Sequence, residues 1–230
     1  MLTGKQFVEK LDKDNEALFR ASELQIKHYY ETTTDKDELI DNFTGRMVNE
    51  RMNMEEISRE VAAADAGTDP EKLILLSKQA HDEAKHFQFV REVVEYLTGK
   101  QLDMQKAVES HQDRLEQKGA ALIKKYNCNN NPLMLALYQL LAEGRAARNW
   151  AMMAETIEDK FISSRYAKIA KDEKFHASIG RMELEKLCNT QEAQDEINSV
   201  INNFRKDLFA ITSSKTGTVK ESVQLMETYA

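Results

Sequence analysis

Asp82-Glu83-Ala84-Lys85-His86 and Asp172-Glu173-Lys174-Phe175-His176 write one pattern, Asp-Glu-x-x-His, twice, ninety positions apart. Residues three apart share one face of an α-helix. Each copy therefore offers a carboxylate and an imidazole to a single point, if its segment is helical and that face is turned inward.

The surrounding apolar residues predict both. A helix over about 70–98 carries the stripe Leu73, Leu76, Ala80, Glu83, Phe87, Val90, Val94, Leu97. A helix over about 160–187 carries Ile162, Tyr166, Ile169, Glu173, His176, Gly180, Leu184, Leu187. Spacings of three and four mark the buried face of a helix, and the acid of each motif stands inside it. Two further helices share the anomaly. Over about 37–64, the stripe Phe43, Met47, Met54, Ile57, Val61 leaves a gap of seven, filled by Glu50. Over about 132–157, Glu143 is the one acid on the stripe Leu133, Ala136, Leu140, Ala147, Trp150, Ala154, Ile157. A buried ionised carboxylate is very costly without compensation, and a metal cation would compensate it. Glu55, just off the stripe, is the alternative to Glu50.

The remaining signals arrange these helices. Asp69-Pro70 and Asn131-Pro132 each read as an N-cap followed by proline at the first helical position. About the turns near 67 and 158, the pairs Glu50/Glu83 and Glu143/Glu173 are balanced, so the chain reads as two related helical hairpins. Met104, Val108, Leu115, Leu122 and Tyr126 predict a helix over 103–127 between them. At some 24 residues it would span roughly 36 Å, enough for a crossover along a bundle. A helix over about 4–32 precedes the hairpins. A polar helix over about 190–212 follows them, then a loop at Ser213–Gly217 and a short helix within 218–230. No linker or composition break divides the chain, which reads as a single domain over 1–230 with a bundle core at about 42–187.

Composition narrows the function. Two prolines and eight glycines favour helices, and a net charge of −7 argues against a nucleic-acid surface. Cys128 and Cys188 form no CxxC and no zinc-like spacing, which fits a reducing, cytoplasmic setting. The longest apolar run, Leu133–Ala142, is half the length of a membrane helix, and the N-terminus lacks a signal-peptide core. No flavin or iron–sulfur motif is visible. His28, His81 and His111 lack a glutamate three residues earlier and read as surface or packing residues.

Taken together, the two motifs and two extra buried acids resemble the ferritin-like di-iron carboxylate superfamily. Its members include rubrerythrins, bacterioferritins, aldehyde-deformylating oxygenases and bacterial multicomponent oxygenases. Ile74–His86 and Ile169–His176 locally resemble the catalytic subunit of phenylacetyl-coenzyme A oxygenase. The resemblance implies an all-α, ferritin-like four-helix bundle with a long crossover helix and extra N- and C-terminal helices. It makes Glu50, Glu83, His86, Glu143, Glu173 and His176 the ligands of two iron ions, or of manganese and iron, with Glu83 and Glu173 as bridges. Asp82 and Asp172 would accept the free imidazole N–H of a ligand histidine.

Such a centre predicts an oxidoreductase that uses O2 to oxidise a small organic substrate, with electrons from a separate donor. Ferroxidase, iron-storage or rubrerythrin-like peroxide handling is the alternative. The extra helices argue against a storage cage, which leaves a monomer or homodimer. Ala147, Trp150 and Tyr166, beside the small residues around Glu143, mark either a substrate pocket or close packing. Tyr138 reads as core packing, and Arg145 and Arg148 as solvated.

Overall fold

The computed structural model describes residues 1–229, and among them the chain is helical throughout, with no strand. The α-helices are α1 (Gly4–Thr32), α2 (Lys36–Ala63), α3 (Pro70–Thr98), α4 (Met104–Glu109), α5 (Ala121–Lys125), α6 (Pro132–Tyr138), α7 (Gly144–Thr156), α8 (Lys160–Leu187), α9 (Gln191–Thr216) and α10 (Lys220–Met226). No helix is long and apolar enough to cross a membrane. The helices gather into two compact units, Thr33–Lys124 and the pair of segments Met1–Thr32 and Lys125–Ala230.

Caps explain where the long helices begin. The Asp35 carboxylate accepts the Asp37 and Glu38 amides at 2.8 and 3.3 Å. Asp69 accepts from Glu71 at 3.0 Å ahead of Pro70. Asp159 accepts from Phe161 and Ile162 at 2.8 and 3.2 Å. Each satisfies amides that a helix start leaves without an intrahelical acceptor. α3 ends at Gly99, whose φ of 67° suits a residue without a Cβ.

The unit Thr33–Lys124 is built on the α2/α3 hairpin. The helix expected over 103–127 is broken. α4 lasts six residues, Gln112–Gln117 is a 3-10 turn, and α5 lasts five. The residues this segment buries between Ala107 and Gly119 are His111 and Lys118, not the apolar Val108 and Leu115. His111 Nε2 lies 3.3 Å from the Asp41 carbonyl, and Arg114 grips the Asp41 carboxylate at 2.8 and 3.0 Å. Both buried side chains reach toward Gly45, where a Cβ would meet Lys118 Nζ at 3.0 Å and the imidazole at 3.2 Å. These polar contacts to α2 override a helical repeat whose apolar positions are seven apart.

In the unit made of Met1–Thr32 and Lys125–Ala230, α1 packs on α7, α8, α9 and α10 through a core that includes Leu11, Leu18 and Ile26. α9 runs through the loop expected at Ser213–Gly217 and stops only at Gly217, with φ 71°. The hydroxyls that suggested a loop are satisfied within the helix. Ser213 Oγ donates to the Phe209 carbonyl at 2.9 Å, and Thr216 Oγ1 to that of Thr212 at 2.9 Å.

Lys118 makes the first unit sensitive to pH. Burial, with Arg114 and Arg46 nearby, pushes its ammonium down from 10.5 to about 8. Between those values only the unfolded chain binds the proton, so stability rises with pH across that window. Lys118→Met keeps the apolar stem and removes the titration. The denaturation midpoint of the parent chain, relative to this variant, should therefore climb from pH 8 to 10.5. Parallel curves for the two proteins would refute the assignment.

Candidate metal centre

α2 and α3 bring Glu50, Glu83 and His86 together, with exposures of 3%, 0% and 0%. His86 Nδ1 lies 3.5 Å from Glu83 Oε2 and 3.8 Å from Glu50 Oε2. In the other unit, Glu143, Glu173 and His176 are equally buried, and His176 Nδ1 lies 3.2 Å from Glu173 Oε2. Each triad offers three ligand atoms within 4.8 Å of one another. Glu55 is turned outward, paired with Arg51 at 3.0 Å, so α2 presents Glu50.

The donor set fits a divalent first-row metal. Each triad holds two carboxylates and one imidazole out of water. Two ionised acids so close raise each other's energy, and a doubly charged cation between them cancels that repulsion. Imidazole and carboxylate are ligands that iron and manganese accept. Asp82, one residue before Glu83, is 2% exposed and ion-paired with Lys78 and, at 3.5 Å, with Lys85. Asp172 is half-buried at the matching place on α8. His28 and His81 are exposed, and His111 is buried against α2.

The helix expected over 132–157 hides an irregularity. Gln139–Glu143 is a π turn, and Glu143 is its last residue. Such turns carry one residue more than an α turn and concentrate at functional sites. The insertion shifts everything downstream. Every residue from Leu133 to Glu143 is buried; beyond the π turn burial narrows to Arg145, Asn149, Trp150 and Met153, while Ala147 and Ala154 of the expected stripe are only half-buried.

The other residues singled out from the sequence separate accordingly. Trp150 and Tyr166 are buried against each other, ring centroids 4.8 Å apart and tilted by 54°. The cleft of about 480 Å³ at α7 and α8 is lined instead by residues such as Ala151, Ala154, Ser163 and Ala167. Tyr138 turns its ring edge to Phe204 at 6.4 Å. Arg145 is not solvated as expected, whereas Arg148 stays partly exposed. Arg145 is 7% exposed and donates to Thr212 Oγ1 at 2.5 Å and the Leu208 carbonyl at 3.3 Å. Arg148 is ion-paired with Glu23 and, at 3.1 Å, with Glu16. In both cases α1 and α9 supply the acceptors that an isolated helix would leave to water.

Gly180 seats the π turn. It lies one helical turn after His176. A Cβ there would stand 2.5 Å from the Leu140 amide nitrogen and 2.6 Å from the Ala136 carbonyl oxygen. The face of α8 that carries Glu173 and His176 thus meets the backbone leading to Glu143 with no room for a side chain. A glycine on an apolar stripe, four residues after a ligand histidine, was the available signal for this contact.

No protein-family model matches the chain, and neither does any curated protein or solved structure.

Gly180→Ala tests the packing. In a helix interior this change ordinarily stabilises by about 1 kcal/mol. Here the backbone has to move, so the urea midpoint should fall, by an amount equivalent to about 1–3 kcal/mol. A raised midpoint would show that the helices are not in backbone contact.

Proposed function

We propose that the two triads bind two transition-metal ions, iron or manganese with iron, and that the protein is a dinuclear non-haem oxidase or oxygenase. It would use O2 to oxidise a small organic substrate. The observation that carries this reading is a repetition: the set Glu, Glu-x-x-His occurs twice, and all six side chains are buried to within a few per cent. The finer reading of the fold belongs with it. The two hairpins would form a ferritin-like four-helix bundle whose triads meet at one dinuclear centre, with Glu83 and Glu173 as the bridging carboxylates.

The metal pair, when bound and reduced, would supply electrons to dioxygen. The protein's own residues would do the rest. Six ligands hold the geometry, Asp82 and Asp172 orient the imidazoles, and burial keeps water from the centre. Incorporating one oxygen atom from O2 into a substrate, with the other leaving as water, takes two further electrons and two protons. A separate donor protein would deliver the electrons. The cysteines are not equipped to do so. Both are buried, and burial pushes the Cys188 thiol up to about 11, which keeps it protonated.

Loading the protein anaerobically with Fe(II) or Mn(II), followed by elemental analysis, should give two ions per chain. Glu143→Ala and Glu50→Ala should each lose one or both ions while helical circular dichroism survives, and Glu55→Ala should keep both. Less than half an ion per chain in the parent protein would refute the centre. Growth of ferric mineral far beyond two irons per chain would replace the oxygenase reading with iron storage.

A further inference from the structure

Away from both triads, α1, α9 and the C-terminal turn enclose a cleft of about 370 Å³. Leu11 and Ile201 give it apolar walls, and Lys10, Asp14, Asn198, Asn202, Arg205, Thr228 and Tyr229 make the rest polar. Its centre of charge is Arg205, which is only 4% exposed. The Arg205 Nε and Nη2 groups donate to Asn15 Oδ1 at 2.9 and 2.7 Å, and Nη1 donates to Asn202 Oδ1 at 3.1 Å. The Tyr229 ring covers the guanidinium face at 4.7 Å.

This is an unusual way to bury an arginine. Both acceptors of its three hydrogen bonds are neutral amide oxygens, and no carboxylate among the described residues forms an ion pair with it. The nearby acid, Asp14, is engaged by Lys10 at 2.6 Å. Lys10 and Asp14 cancel, so among the described residues the cleft carries one net positive charge, that of Arg205. Asp14 attracts Arg205 from a distance, but a buried charge without a directly paired counter-charge is costly. Three of the five guanidinium N–H groups are used, which leaves one on Nη1 and one on Nη2. A fork of that kind fits the two oxygens of a carboxylate.

We propose that this cleft binds a small organic carboxylate, seated on the remaining N–H groups of Arg205. Asn198, Asn202 and Thr228 provide hydrogen bonds for the polar remainder of the ligand, and Leu11 and Ile201 provide an apolar edge. One negative charge balances the site, which favours a monocarboxylate over a phosphate. The wall formed by Tyr229 is fixed rather than loose. Its hydroxyl donates to the Asp14 carbonyl and accepts from the Leu18 amide at 3.2 Å.

The test needs no metal and no assay of turnover. The full chain, labelled with ¹⁵N-arginine, is titrated at constant ionic strength with sodium acetate, sodium benzoate, inorganic phosphate and sodium chloride. The Arg205 Nε–H resonance should shift saturably with the carboxylates and not with chloride. Asn198→Asp places a carboxylate at an exposed point on the cleft wall. It should weaken carboxylate binding by roughly tenfold or more through like-charge repulsion, without changing the melting temperature. Arg205→Gln should abolish binding. Absence of a saturable shift up to tens of millimolar carboxylate, an undiminished shift in Asn198→Asp, or tighter binding of phosphate than of either carboxylate would overturn the proposal.

Discussion

The cost of keeping carboxylates away from water governs how this protein is built. Glu50, Glu83, Glu143 and Glu173 stand where a helical core would ordinarily place leucine. Each needs a neighbour that favours its charged form or a proton that removes it. The nearby histidines are part of the answer, at 3.2–3.8 Å. The local structure around the acids serves the same end, with caps that start the helices in phase and a glycine that lets backbones touch. Under the proposed function a cation completes the neutralisation, and the metal is then a requirement of folding as much as a tool of chemistry.

Much of this was legible in the sequence because it depends on helical periodicity alone. The long helices, the proline-adjacent caps and the four acids on apolar stripes all follow from spacing and residue type. The single acid per stripe favoured Glu50 over Glu55, and the outward pairing of Glu55 with Arg51 then distinguished them. What could not be read depends on partners distant in the chain. His111 and Lys118 end a helix because Gly45 makes room for them on α2. Arg145 leaves the solvent because α9 offers a carbonyl and a hydroxyl, and the partly exposed Arg148 is held by two carboxylates of α1.

The two units handle buried cations differently, which is instructive about what burial alone implies. Lys118 sits close to Arg114 and Arg46, opposed by Asp41, and with burial its ammonium gives up its proton more readily. Arg205 is also held below its ordinary value by burial, yet a guanidinium has no accessible neutral form, so it must find acceptors instead. The amides of Asn15 and Asn202 supply some, without supplying charge. One buried base adjusts its protonation, and the other its surroundings.

The π turn at Gln139–Glu143 lets one helix obey two registers. Upstream, α6 is phased to α8. Downstream, α7 stays packed on α8 and adds contacts to α9 through Arg145 and to α1 through Arg148. With an unbroken α-helix, any drift in the second set of contacts would rotate the ligand acid with it. The extra residue acts as a slip coupling between the two. Sequence change on the α1-facing side of α7 can accumulate without turning Glu143 away from Glu173 and His176, so the interface and the ligand set are free to diversify at different rates.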